Sequence, residues 1–95
     1  MTQQHLIGEL SLLLARLQAT ATTEISVREI ACLRREVETA SLTALTEETV
    51  RALQLVDDLC WDSLARGDSA AFARQARICA QLGEFGVAAG LLEED

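Results

Sequence analysis

The chain contains no proline, and its apolar residues recur at helical rather than strand-like spacing. Near the N-terminus they return at intervals of three and four residues, which places them along one side of an α-helix. No segment alternates β-branched or aromatic residues with polar ones, as a strand would. Helix is therefore predicted throughout the chain. The first apolar stripe consists of Leu6, Ile7, Leu10, Leu13, Leu14 and Leu17.

A threonine-rich loop is predicted between the first two helices. The first helix covers residues 2–19, and residues 20–23 are small or β-branched, which makes them poor helix formers. A second helix is predicted to begin at Ser26, because Ser26 and Glu29 have the spacing of a capping box. Residues 41–45 are interpreted as a linker to the next helix. The buried seam of the second helix is predicted to be Ile30, Leu33 and Val37.

The third predicted helix begins at Thr46 and ends before Gly67. Thr46 is a favourable N-cap, and the acidic residues after it suit the positive end of the helix dipole. Gly67 provides a C-terminal stop after residue 65 or 66, and Asp68 is predicted to cap the next helix. The broad apolar side of this helix is predicted to be Val50, Leu53, Val56, Leu59, Cys60 and Leu64.

Two further helices complete the predicted fold. A fourth helix covers residues 69–82, Gly83 ends it, and a short fifth helix follows over residues 84–92. Short connections favour antiparallel neighbours. The predicted fold is one all-α domain, residues 1–95, in which four to five antiparallel helices pack as stacked αα-hairpins or a small bundle.

Charge and hydropathy argue against nucleic acid and membrane as partners. Asp and Glu outnumber the basic residues by 15 to 8, giving a formal net charge of −7, so the chain is poorly suited to neutralising phosphates. The apolar run at residues 10–15 is far shorter than the about 20 residues that span a bilayer. It also lacks the basic flank of a signal peptide, so the chain is expected to stay in the cytoplasm.

No pattern of residues indicates an enzyme, a cofactor or a metal site. The single histidine, His5, lies near the N-terminus, which leaves a serine or cysteine nucleophile without an obvious base. The three cysteines form no CxxC pair and are interpreted as small buried hydrophobes; they are Cys32, Cys60 and Cys79. The carboxylates Asp57, Asp58 and Asp62 are interpreted as a solvated acidic side of the third helix, with a carboxylate metal site as the alternative.

An excess of apolar residues is the strongest indication of function. Hydrophobic residues make up 49% of the chain, whereas a domain of this size buries only about 60–65% of the surface that its unfolded chain exposes. Some aliphatic side chains should therefore remain outside the core, where they mark contact with another protein or with a second copy. Trp61 is interpreted first as a core or core-edge residue and second as an interface residue. The predicted contact residues are Leu12, Leu55, Trp61, Phe85, Val87 and Leu91.

Two segments resemble the turns of tetratricopeptide-type helical hairpins, in which a glycine and an acidic residue are followed by an aromatic and a small residue. One is 82–85, followed by Ala88; the other is 64–68, followed by Phe72. They lie about half a family repeat apart, and the family's proline is missing.

Among tetratricopeptide-type proteins, the small acidic chaperones of type III secretion needle subunits look similar in size and over residues 66–71. The helix at residues 6–15 also resembles their N-terminus. This resemblance implies a concave hydrophobic groove that holds an aggregation-prone helical partner.

The first functional hypothesis is accordingly a non-enzymatic interaction module, chaperone- or adaptor-like, that seats a partner helix on an apolar helical surface. Two alternatives stay open. One is an acidic inhibitor that mimics nucleic acid, as some phages encode, and the other is a homodimerisation domain of a regulatory assembly.

Overall fold

The computed structural model describes residues 2–93, and four α-helices are the only regular elements in this part of the chain. Each helix begins after a hydroxyl or carboxylate side chain that accepts a hydrogen bond from a backbone N–H three residues later, which satisfies a donor that the helix itself leaves free. The capping residues are Thr2, Thr23, Ser41 and Asp68. The helices are α1 (Gln3–Thr20), α2 (Glu24–Glu38), α3 (Leu42–Ala65) and α4 (Ser69–Ala88).

Hydrogen bonds between helices show that successive helices run antiparallel. Gln3, at the start of α1, donates from Nε2 to the Ala40 carbonyl beyond the end of α2, at 2.6 Å. Ser63, near the end of α3, donates from Oγ to Oε1 of Gln75 near the start of α4, at 2.7 Å. Gln75 also donates from Nε2 to the carbonyl of Thr20 at the end of α1. The prediction of an all-α antiparallel bundle is confirmed.

The bundle is a thin slab, 39 × 29 × 16 Å between Cα extremes. Helices α1 and α3 contact each other across the middle, whereas α2 and α4 lie at opposite sides. The core between them is almost entirely aliphatic. Because the slab is thin, it can bury few layers of side chains. Its fully buried large residues include Leu10, Leu14, Leu17, Ile30, Leu33, Leu45, Val56 and Leu82.

Helices α2 and α3 each begin earlier than predicted. Thr23 caps α2 in place of Ser26, and Ser41 caps α3 in place of Thr46. In both cases two residues suited to the N-cap position lie within a few residues of each other, and the earlier one, which gives the longer helix, is used. For α3 the reason is Leu45, which is fully buried and reaches the core because the helix already includes it. Residues 42–45 of the segment predicted as a linker are therefore helical.

The fourth and fifth predicted helices are one helix, because α4 continues through Gly83 to Ala88. A glycine inside a helix costs about 1 kcal/mol relative to alanine. On either side of Gly83, however, Leu82 and Phe85 are both buried, and a continuous helix keeps both turned toward the core. The tetratricopeptide-like turn expected at residues 82–85 is consequently absent.

Glycines end α3 and α4 through the same hydrogen-bonded turn. Gly67, predicted as the stop of α3, and Gly90 both have a φ of 74°, a conformation that other residues adopt only with strain. After Gly90 the chain reverses, and the N–H of Leu91 donates to the carbonyl of Gly86 at 2.8 Å. This turn folds Leu91 back onto the core.

The helices of residues 2–93 are too short or too polar to cross a membrane.

Candidate functional site

The six residues predicted for partner contact are divided between surface and core. Leu12, Trp61 and Val87 are exposed, and Leu55 is half-buried. Phe85 and Leu91 are buried, which removes them from the surface of this conformation. Phe85 is turned inward by the continuous register of α4, and Leu91 by the reversal at Gly90.

Trp61 stands outside the core, contrary to the favoured interpretation. Val56, Leu59 and Ser63 are buried and fix the inner side of α3. A residue two positions beyond Leu59 lies about 200° further round the helix, on the opposite side. Trp61 occupies that position and has 65% of its surface exposed.

An apolar surface extends from Trp61 across α3 onto α4. Leu64, one turn further along α3, is 53% exposed, although the sequence pattern placed it on the buried side. Phe72 of α4 is half-buried beside it, and the three side chains line a groove of about 270 Å³ together with Asp57 and Cys60. We call this surface the α3–α4 face; its residues are Asp57, Cys60, Trp61 and Leu64 of α3 and Phe72 and Cys79 of α4.

Two thiols lie at the seam of the α3–α4 face. Burial raises the pKa of Cys60, and the neighbouring Cys79 and Asp57 raise it further. Burial and then Asp57 raise the pKa of Cys79 in the same way. Both cysteines pack against the core and are held as neutral thiols at neutral pH. Cys32, by contrast, is exposed on α2, so the interpretation of all three as buried hydrophobes is wrong for that residue.

The three predicted surface carboxylates of α3 lie on two different sides of the helix. Asp57 lines the α3–α4 groove, whereas Asp58 and Asp62 line a groove of about 310 Å³ between α2 and α3. Among residues 2–93 no group of three or more histidine, cysteine or acidic side chains is placed to hold a metal ion. The trio is therefore not a single acidic surface.

The groove between α2 and α3 combines apolar walls with paired charges. Leu55 lies in it, next to Ile25 and Glu29. Arg66 contacts Asp62 with 3.1 Å between Nε and Oδ2. Further along the same side of the bundle, Arg51 bridges the carboxylates of Glu36 and Glu48. Acidic residues on this side are thus interleaved with arginines.

The two carboxylates bridged by Arg51 have opposite pKa shifts. A hydrogen bond from Arg51 lowers the pKa of Glu36, which is exposed. Burial raises the pKa of Glu48; Arg51 opposes that rise, and the nearby Glu36 adds to it. Ionised Glu48 is therefore less favourable in the folded protein than in the unfolded chain.

Replacing Glu48 with glutamine is expected to raise the free energy of unfolding at neutral pH by about 0.5–1 kcal/mol. Because the folded-state pKa is raised, the ionised carboxylate destabilises the parent at every pH above that value. The difference between variant and parent should close as the pH falls toward the ordinary pKa of 4.5, where Glu48 becomes protonated in both states. Urea denaturation at neutral pH and in mild acid measures the difference.

Glu47→Gln is the matched control for that variant, since it removes the same charge from the neighbouring exposed position. It should change stability by less than about 0.5 kcal/mol. A Glu48→Gln protein less stable than its parent at neutral pH would show that the Arg51 contact outweighs the burial of Glu48.

The chain matches no protein-family model, and comparisons with curated proteins and with solved structures find no match. The likeness to tetratricopeptide hairpins has no support from relatives, and one of its two turns lies inside α4. The described residues form a four-helix, all-α domain with large apolar side chains on its surface.

Leu64 and Phe72 are not among the contact residues predicted from the sequence. Leu64 follows Trp61 by three residues, so both lie on one side of α3 once the inner side is known. Phe72 directly follows the buried Ala71 near the start of α4, where it meets the end of α3 across the turn. The positions of Trp61 and Leu64 relative to the buried Leu59 could have shown that both face outward. The place of Phe72 could not be predicted in this way, because it depends on how α3 pairs with α4.

Proposed function

We propose that this domain is a non-enzymatic interaction module that holds an amphipathic helix of another protein against the α3–α4 face. The observation that supports it best is the exposure of Trp61 and Leu64 beside Phe72. Contiguous apolar surface of this kind marks interaction sites, and tryptophan is enriched among the residues that contribute most to binding.

A helix fits this surface because α3 and α4 are antiparallel neighbours with a groove between them. The ridge of side chains on a third helix packs into such a groove. The outer side of α4 carries small residues that permit close approach of another backbone. They are Ala73, Ala76 and Ala80, none of which is buried.

The proposed role is that of a chaperone or adaptor, acting through burial of apolar surface. A partner helix with an exposed apolar stripe would be shielded from aggregation while it is bound. This is the role that the resemblance to needle-subunit chaperones implies, and it requires only one open apolar groove on the bundle.

The acidic-inhibitor alternative depends on carboxylates gathered on one side. Carboxylates of α2 and α3 are instead paired with arginines, as in Glu24–Arg28 on α2, Glu36–Arg51 between α2 and α3, and Asp62–Arg66 at the end of α3. This arrangement favours the apolar face as the binding surface. The homodimer alternative uses the same face and is distinguished by the occupant.

Replacing Trp61 with alanine is expected to weaken partner binding about thirtyfold, or about 2 kcal/mol, while stability stays within about 0.5 kcal/mol. The reason is that Trp61 is exposed in the free domain and buried only under the partner. The test is a comparative pull-down from the native host with the parent, Trp61→Ala and Leu64→Asp, followed by mass spectrometry and a binding titration with the purified candidate.

Leu12→Asp serves as the control, because Leu12 is comparably exposed but lies on α1. A partner of the α3–α4 face is retained by the parent and by Leu12→Asp and is lost from both variants of the face. If the same proteins are retained by all four baits, the α3–α4 face is not the binding surface.

A further inference from the structure

One charged side chain lies inside the apolar surface of the α3–α4 face. Asp57 is one helical turn before Trp61 and two turns after Val50, on the same side of α3. It shares the groove with Leu64 and Phe72. Among residues 2–93 no basic side chain forms an ion pair with it.

We infer that the helix bound on this face carries a lysine or arginine that pairs with Asp57, and that it belongs to another protein rather than to a second copy of this chain. This inference rests on the proposed function. An apolar helix laid over the groove would take the Asp57 carboxylate out of water, and an unpaired buried carboxylate is strongly unfavourable. A basic residue at that point supplies the missing counter-charge and fixes the register of the bound helix.

A second copy is a poor occupant for reasons of charge. A symmetric dimer brings the same patch of both molecules together, so each Asp57 would be covered by a face that offers another carboxylate. The chain has no lysine and a net charge of −7. The arginines of α4, Arg74 and Arg77, line a groove against α1 and not the α3–α4 face.

A lipid surface is equally unsuited to this face. Helices that lie on membranes carry basic residues beside their apolar side, and these attract anionic headgroups. The charged residue within the α3–α4 face is acidic, as is the chain overall. A basic amphipathic helix is the occupant that the charge favours.

The inference is tested with displayed helical peptides selected against the full chain. The library has peptides of about 18 residues, with aliphatic residues along one side and one central position fully varied. Selection is run in parallel on the parent, Asp57→Asn and Asp58→Asn. Asp58→Asn is the matched control, since its carboxylate lies in the α2–α3 groove. Binding of purified peptides is followed through the emission of Trp61, the only tryptophan, which shifts to shorter wavelength when the face is covered.

The expected result is enrichment of lysine or arginine at the varied position on the parent and on Asp58→Asn, and none on Asp57→Asn. Changing that basic residue to glutamine should weaken binding to the parent about fivefold and leave binding to Asp57→Asn unchanged. Peptides that shift Trp61 without any basic preference, or with the same preference on Asp57→Asn, overturn this inference while the docking face stands.

Three other outcomes also count against the inference. If no peptide shifts the Trp61 emission, the docking face fails and the proposed function fails with it. A concentration-dependent shift in the protein alone, with a dimer in sedimentation, identifies a second copy as the occupant. A shift on adding phosphatidylcholine–phosphatidylglycerol vesicles identifies a lipid surface.

Discussion

Replacing Leu14 with alanine is expected to lower the free energy of unfolding by about 3–4 kcal/mol. Leu14 lies in the middle of α1, has no exposed surface and belongs to the aliphatic core. The substitution removes buried apolar area and leaves a cavity that neighbouring helices fill only in part. Domains of this size have total stabilities of about 5–10 kcal/mol, so the loss is a large fraction of the whole. Urea denaturation followed by far-ultraviolet circular dichroism measures it.

Leu12 provides the control within the same helix. It lies two residues before Leu14, on the solvent side of α1, and is 61% exposed. Leu12→Ala should change stability by less than about 0.5 kcal/mol. Equal losses from the two variants would mean that Leu12 is covered in solution and that the inner side of α1 differs from the one described above.

Replacing Gln75 with glutamate is expected to cost about 2–3 kcal/mol at neutral pH and much less in acid. Only 1% of Gln75 is exposed, and its amide joins Ser63 of α3 to the carbonyl of Thr20 at the end of α1. Glutamate has the same size but no N–H to donate to Thr20, and its negative charge would be buried. The folded protein would hold the protonated carboxyl more tightly than the unfolded chain, so stability falls as the pH rises through the ordinary range of glutamate.

Two variants separate the charge from the lost hydrogen bond. Gln75→Met keeps the length of the side chain without charge, so its cost of about 1–2 kcal/mol should not depend on pH. Gln54→Glu introduces the same charge at an exposed position of α3 and should cost less than about 0.5 kcal/mol. A pH-independent loss for Gln75→Glu would show that water reaches this position.

The sequence predicts the inner sides of the helices more reliably than their ends. Leu10, Leu14 and Leu17 recur with the helical period, and all three are buried. The choice between Ser41 and Thr46 as the cap of α3 could not be made locally, because both residues are suitable and only the packing of Leu45 decides between them. Tertiary packing likewise overrides the local preference of Gly83 to end a helix.

The candidate site was predictable in kind but only partly in position. Excess apolar composition correctly indicated exposed apolar residues on a helical domain, and Trp61 is one of them. The sequence predicts Phe85 as a contact residue, and it also predicts a helix end at Gly83. With α4 continuous, Phe85 points inward, and the groove forms instead near Phe72, beside the turn that joins α3 to α4.

Both ends of the described chain lie at one end of the slab, away from the groove around Trp61. Gln3 bonds to Ala40, and the last residues fold against Gly86, next to Thr49 of α3. The turns at residues 21–23 and 66–68 meet at the opposite end, where Arg66 bonds to Thr22. An affinity tag or a tether to a sensor chip, attached at either terminus, would therefore sit at the far end of the bundle from Trp61 and leave the groove uncovered.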